Sequence, residues 1–274
     1  MRVTFYGTRG SVPVSDRDCV QAGGNTPSLL VTFSSGRIAI LDAGTGIRNL
    51  GNDLLARSLE QYDNIFVALS HTHWDHIQGF PFFKLAYDAR RHFTIAICGK
   101  GRHADKLENL FGMQMQREFF PTRLEKMGAA MTFWAPDVTR YETPAGVTVS
   151  ASKQNHPGDS YGYRIEDAGK ILVYCTDVEH VEGIDPNVVT LARDADLLVH
   201  DAQYTPEELE QKKGWGHSSW EQACAVAEQA GAKKLALFHH DPEHADSLLF
   251  RMEAECRKRF PEAFLAREGE QIQL

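Results

Sequence analysis

The hexapeptide His71-Thr72-His73-Trp74-Asp75-His76 follows directly on the run Asn64-Ile65-Phe66-Val67-Ala68-Leu69-Ser70, and no other stretch restricts the chain so strongly. The apolar run reads as a buried strand ending at a serine. Four side chains able to ligate a metal then fall within six positions. In an extended or loosely coiled segment His71 and His73 point the same way, while Asp75 and His76 lie one step further on and can face a second centre. Such a split suits two metals. A polar loop rich in histidine is the competing explanation, but three of the chain's twelve histidines share these positions with an aspartate at a strand end.

An α/β chain of 274 residues can form one domain, and 42% apolar residues suffice for a large core. The net charge of −8, with no block of Lys or Arg, gives no general attraction for nucleic acid, although a local basic pocket stays open. Cys19, Cys98, Cys175, Cys224 and Cys256 are odd in number and never in CxxC spacing, so reduced, mostly buried thiols of a cytoplasmic protein are expected. Arg2 to Tyr6 is already a strand, so no signal peptide is expected. No apolar run approaches the roughly 20 residues of a spanning helix, and no membrane partner is expected.

Along the chain, Gly7 to Pro13 reads as a loop. Ser28 to Phe33 and Arg37 to Leu41 form a hairpin ending at Asp42-Ala43-Gly44-Thr45-Gly46. Asp42 can orient a metal-bound histidine through its distal nitrogen, or simply cap a turn. Ile47, Leu50, Leu54 and Leu55 share a helical face. Beyond His76, Phe80-Pro81-Phe82-Phe83 and Phe119-Phe120-Pro121 are aromatic-proline patches, either core or a wall for a flat substrate group. Between them lie a strand (93–98) and a helix (104–111). Strands follow at 131–134 and 146–151, then a hairpin of 161–166 and 171–176 ending on Asp177. Another strand, 196–200, ends at Asp201. His217 precedes Ser218-Ser219-Trp220-Glu221, whose Ser-x-x-Glu spacing predicts a capping box from Ser218. The strand 235–238 ends at His239-His240-Asp241-Pro242, with Asp241 a candidate N-cap for the last helix. A last strand is expected near 264–267.

Ligand-type residues thus stand at the ends of separate strands, at His71, His156, Asp177, Asp201 and His239. A histidine block, a lone histidine, a lone aspartate and a final histidine, in that order, closely resemble the metallo-β-lactamase superfamily of hydrolases across essentially the whole chain. The resemblance implies a single-domain α/β fold over residues 1–274, a four-layer αββα sandwich with metals at one edge between its halves. Thr8 to Pro13, Leu41 to Gly46 and Gly216-His217-Ser218 are similar to the phosphodiesterase branch that includes tRNase Z and bacterial cyclic-phosphodiesterase relatives. Position by position, the resemblance implies that His71, His73 and His156 bind one metal, Asp75, His76 and His239 the other, and Asp177 bridges. His240 competes with His239; the latter is preferred because it follows the apolar strand directly.

Nitrogen and carboxylate donors suit two Zn²⁺ ions, with Mn²⁺ or Fe²⁺ also compatible. At a separation of about 3.5–4 Å a shared water supplies the attacking hydroxide, with Asp75 holding its remaining proton. His217 is the candidate general acid and Asp201 its orienting carboxylate. The helix N-terminus disfavours imidazolium there and Asp201 favours it; a direct hydrogen bond decides for Asp201. A purely structural His217 is the alternative.

The leading expectation is a hydrolase of small phosphodiesters, with 3′,5′-cyclic nucleotides first. A glyoxalase II-like thioester or lactone hydrolase and a catalytically idle ligand-binding member are the alternatives. The tRNase Z relatives carry a long arm between the lone histidine and the bridging aspartate. Here His156 and Asp177 are 21 positions apart, filled by a turn and a hairpin, so stable tRNA binding is not expected. A homodimer stays open.

Overall fold

The computed structural model describes residues 1–56, 64–99, 103–137 and 139–274. Two seven-stranded mixed sheets form its centre. The first contains β1 (Arg2–Gly7), β2 (Ser28–Thr32), β3 (Ile38–Leu41), β4 (Asn64–Leu69), β5 (His92–Ile97), β6 (Ala130–Trp134) and the C-terminal strand Gln271–Gln273, in the order C-terminal strand, β1, β2, β3, β4, β5, β6. The second contains β7 (Arg140–Glu142), β8 (Thr148–Gln154), β9 (Ser160–Asp167), β10 (Lys170–Cys175), β11 (Leu197–Asp201), β12 (Leu235–Phe238) and β13 (Ala263–Leu265), paired in sequence order. Strands β3 to β6 run parallel, as do β10 to β13. Each sheet therefore presents a row of carboxyl ends to one edge, where loops can carry function.

Both faces of the central strands are covered, which is why they read as unbroken apolar runs. Along β4, Ile65, Val67 and Leu69 pack outward under α1 (Ile47–Leu55) and α3 (Ala104–Gln114), while Ala68 faces the opposite sheet with Phe66 packed beside it. Along β12, Leu235 and Leu237 pack outward under α6 (Trp220–Ala230) and α7 (Asp246–Arg259), while Ala236 and Phe238 join Phe5, Leu29 and Tyr174 between the sheets. The short helices α2 (Trp74–Ile77), α4 (Pro186–Ala192) and α5 (Pro206–Gln211) complete the α-helices among the described residues. The architecture is the expected αββα sandwich, and among the described residues no helix is long and apolar enough to cross a membrane.

Several local expectations need correction. Leu55 is exposed; the buried face of α1 is Ile47, Leu50, Gly51 and Leu54. The capping box of α6 lies one residue on, pairing Ser219 with Gln222, because Ser218 is drawn away: its amide donates to Asp201 and its hydroxyl to the Val178 carbonyl. Asp241 caps no helix. α7 starts at Asp246, whose carboxylate accepts from the Gln21 and Ala22 amides. Cys224 and Cys256 are not free thiols. α6 packs on α7 so that their Cα atoms are 6.6 Å apart, and the two form a disulfide; Cys19, Cys98 and Cys175 stay free. Sequence reasoning missed α4, α5, β7 and the C-terminal strand, all short or polar.

Candidate metal centre

Three of the loops that leave strand ends turn through left-handed backbone conformations at non-glycine residues. Asp42 after β3 has φ 59°, Asp177 after β10 has φ 55° and His239 after β12 has φ 62°. Such conformations cost of order 1–3 kcal/mol each and persist where surrounding contacts enforce them. Here they turn side chains from three strands into one buried space together with the loop after β4.

The structure brings together every residue expected to bind metal. Donor atoms of His71, His73 and His156 lie within 4.8 Å of one another, and so do those of Asp75, His76, Asp177 and His239. Asp177 sits between the groups. Its Oδ1 is 3.7 Å from His71 Nε2 and 3.8 Å from His156 Nε2, while its Oδ2 is 3.2 Å from His76 Nε2 and 3.4 Å from His239 Nε2. Asp75 Oδ2 closes the second group at 3.3 Å from His76 Nε2 and 3.2 Å from His239 Nε2. His240 turns away and donates from Nε2 to the Ala266 carbonyl.

Outer partners fix which nitrogen faces inward. His76 Nδ1 donates to Asp42 at 2.9 Å, His156 Nδ1 to the Gly216 carbonyl at 2.8 Å, His239 Nδ1 to Gln203 Oε1 at 3.0 Å and His71 Nδ1 to Ser70 Oγ at 3.1 Å. With Nδ1 so engaged, Nε2 of each is turned toward the others, the arrangement of a ligating histidine. Buried His71 Nε2 has no hydrogen-bond partner, an expensive state that a cation relieves, and His76 Nε2 faces the Asp75 and Asp177 carboxylates without a well-aligned hydrogen bond to either. Charge makes the same demand. Burial pushes the His71 imidazole well below its usual range, toward the neutral ligating form. Burial opposes charge on His76 as well, but Asp75, Asp177 and Asp42 outweigh it and hold His76 well above the usual value. Burial likewise opposes ionisation of Asp75 and Asp177, yet the surrounding histidines keep both well below the usual carboxylate range. The donor set fits divalent metal ions of borderline softness.

Asp201, completely buried at the end of β11, accepts four hydrogen bonds: from the Asp177 and Ser218 amides at 3.0 Å, from the Gln203 amide at 3.1 Å and from His217 Nδ1 at 2.8 Å. It thereby fixes both Asp177 and His217. Burial pulls the His217 imidazole down, but Asp201, then Asp177 and Asp75, more than offset it, and its pKa is pushed up to about 9. The His217 ring lies 5.2 Å from the His156 ring and 5.0 Å from that of His239.

The supporting residues were the less legible part. Asp42, expected to orient a histidine or cap a turn, also accepts from the Ser70 amide and hydroxyl and from the Tyr174 phenol. Fully buried Arg9 donates to the carbonyls of Gly23, Asp241 and His244, securing the loop beyond His239. The Ser11 amide donates to Asp75, and Glu179 accepts from the Gly214 and Gly216 amides beside His217. Gly10 lies so close that any Cβ would overlap the His239 ring. Its position in a glycine-containing first loop was the only sequence signal for that contact. Of the aromatic patches, Phe80 and Phe83 are core, whereas Phe82 and Phe119 are exposed, with Phe82 set edge-on to Phe120.

Comparison with known proteins places this geometry. A family model described as "Beta-lactamase superfamily domain" matches residues 37–240. Ribonuclease Z of Halorubrum lacusprofundi is 28% identical over an alignment of 328 residues that covers 100% of this chain and 97% of the relative. Among solved structures, the metallo-beta-lactamase fold protein YhfI from Bacillus subtilis superposes with a TM-score of 0.72 at 22% identity, covering 99% of this chain and 98% of that one. Human tRNase Z, short form, gives 0.68 at 20% identity, covering 100% and 99%. With the sandwich and its buried histidine and aspartate donors, these matches make the chain a member of the beta-lactamase superfamily domain family and a metal-dependent hydrolase of the metallo-β-lactamase fold.

Proposed function

We propose that the protein hydrolyses small phosphodiesters, with 3′,5′-cyclic nucleotides as leading substrates. Two divalent metals, Zn²⁺ first among them, would be held by His71, His73 and His156 and by Asp75, His76 and His239, with Asp177 shared. The observation that carries this reading is the buried His217–Asp201 pair set against both donor groups. An alkoxide leaving a phosphodiester needs a proton; a thiolate leaving a thioester does not.

Metals bound at such a site lower the pKa of a water to near neutrality and neutralise phosphoryl oxygens. The chain's own residues supply the rest. Asp201 accepts from His217 Nδ1, so the proton on His217 Nε2 is the one available to the leaving oxygen. Asp201 also grips the Asp177 amide and keeps donor and ligand in one frame. Asp75, held in place by the Ser11 amide, doubles as ligand and proton acceptor.

Three features favour small substrates. Residues between His156 and Asp177 are used up by β9, β10 and their turns. The ribonuclease relative needs 328 aligned positions against a chain of 274, so it carries segments this chain lacks. Exposed Val12, Trp74 and Val181 neighbour Ser11, His73 and His180 in sequence and offer apolar contact to a single base, while the exposed Trp215 ring beside Gly216 carries the Lys212 ammonium over its face, one cation for a single phosphate. The names of the curated relatives favour RNA as the second reading. The deciding experiment compares kcat/KM for 3′,5′-cyclic nucleotides, bis(p-nitrophenyl) phosphate, precursor tRNA, a thioester and a lactone under identical metal conditions. Preference for precursor tRNA over every small diester would replace this reading with the ribonuclease one, and turnover of the thioester or lactone alone would reject both.

A further inference from the structure

Between the sheets the core changes character from one side to the other. Under β1, β2, β10 and β12 the space is filled by Phe5, Leu29, Tyr174 and Phe238. Under β3 to β6 many of the facing side chains are alanine or threonine. In register across the first sheet, one row reads Ala39, Phe66, Thr94, Thr132 and the next Leu41, Ala68, Ala96, Trp134. Opposite them stand Val147, Val149, Ala151 and Tyr163. Alanine and threonine cannot span the gap between two sheets, and a cleft of about 470 Å³ results. Native interiors rarely keep voids larger than a water, whereas ligand pockets occupy roughly 300–1,000 Å³.

The lining chemistry limits the occupant. Most of the wall is apolar, and Phe66, Trp134 and Tyr141 form an edge-to-face series with ring separations of 6.2 and 5.1 Å. No aspartate or glutamate is among the described lining residues, although the chain has 37 of them. The only charged lining residue is exposed Arg37, which has no ion-pair partner among the described residues. Tyr163 closes the far side, its phenol donating to the Leu69 carbonyl.

We propose that this inter-sheet cleft is a binding site for an amphipathic monoanion, a medium-chain fatty acid, whose chain lies over the alanine and threonine rows of β3 to β6 and whose carboxylate meets Arg37. An elongated apolar body matches two strand rows, and a single carboxylate matches Arg37, the one charged residue among the described lining residues. The site shares no residue with the metal donors.

Calorimetric titration of the metal-loaded protein with decanoate, kept below its micellar range, tests this directly. Saturation near one decanoate per chain is expected. Ala96→Phe, which fills the cleft from its floor, should weaken binding at least tenfold while hydrolase turnover and thermal midpoint show that the variant is folded. Thr132→Trp does the same from the next row and replaces it should Ala96→Phe fail to fold. Arg37→Gln should weaken decanoate about tenfold and leave decanol unchanged. The proposal is overturned by absence of saturable binding, by unaltered affinity in the folded cleft-filling variants, or by equal losses for decanoate and decanol in Arg37→Gln.

Discussion

Removing the Asp42 carboxylate should damage both the fold and the metal centre, by amounts that follow from its partners. It accepts from the Ser70 amide, the Ser70 hydroxyl, the Tyr174 phenol and His76 Nδ1, all buried. Asp42→Ala leaves four donors without an acceptor. Each orphan costs about 1–3 kcal/mol, and relaxation or an entering water recovers part, so a net loss of about 3–5 kcal/mol is expected. His76 also loses the partner that directs its Nε2 inward, which should weaken metal binding about 10–100-fold. Tyr174→Phe provides the internal scale: it removes one of the four donors and leaves the Asp42 carboxylate in place, and should cost only about 1 kcal/mol with metal affinity nearly unchanged. Guanidinium unfolding of the metal-stripped protein measures the first quantity and competition with a chromophoric chelator the second. Asp42→Ala losing under about 1 kcal/mol while binding metal like the wild type would refute the assignment of Asp42 as the shared acceptor.

Elemental analysis of purified protein should find close to two divalent metals per chain, with His71→Ala or His156→Ala weakening one site and Asp177→Ala both; a metal-free yet fully active wild type would reject the centre. His217→Ala should keep metal content but lower turnover by about 10²–10⁴, and the deficit should shrink for p-nitrophenol, a leaving group that needs little protonation. Equal losses on good and poor leaving groups would point to positioning instead. The metal-stripped protein should be most stable near pH 6.5, the ordinary value for an unfolded histidine. Below that pH the unfolded chain takes up protons that His180 and His240, each held down to about 3 chiefly by burial, refuse in the fold, so stability falls with falling pH. Above it the unfolded chain releases a proton that folded His217 keeps until about 9, so stability falls with rising pH. Denaturation midpoints in chelator from pH 4.5 to 9 should be bell-shaped, and His217→Gln should make only the alkaline limb shallower, the remainder belonging to His76, which is also held above the usual value. A profile that only rises with pH would contradict the His217 assignment, and one that only falls would contradict those of His180 and His240.

What could be read from the sequence depended on how local each determinant is. The apolar run into His71 and the single carboxylates and histidines at strand ends are contiguous signals, and they locate the fold and the donors together. Positioning of those donors is not contiguous. Gln203 behind His239, Glu179 under the Gly214–Gly216 turn and Arg9 under the 241–244 loop become meaningful only once the sheets are assembled. The capping box slipped by one residue because Ser218 and Ser219 compete for it on equal terms in sequence, and a tertiary contact to Asp201 decides. The Cys224–Cys256 pair was hidden for the same reason, since only the packing of α6 on α7 makes the two cysteines neighbours.

The left-handed turns at Asp42, Asp177 and His239 set protein engineers a trap. At Asp42 the four buried donors hold the aspartate in place, but glycine or asparagine would relax the backbone at Asp177 and His239, so a library screened for heat resistance alone should be drawn to substitutions at those two positions. The hardened proteins recovered would be those that had discarded Asp177 or His239, both proposed metal ligands. Any thermostabilisation campaign on this scaffold therefore needs catalytic turnover in the selection from its first round.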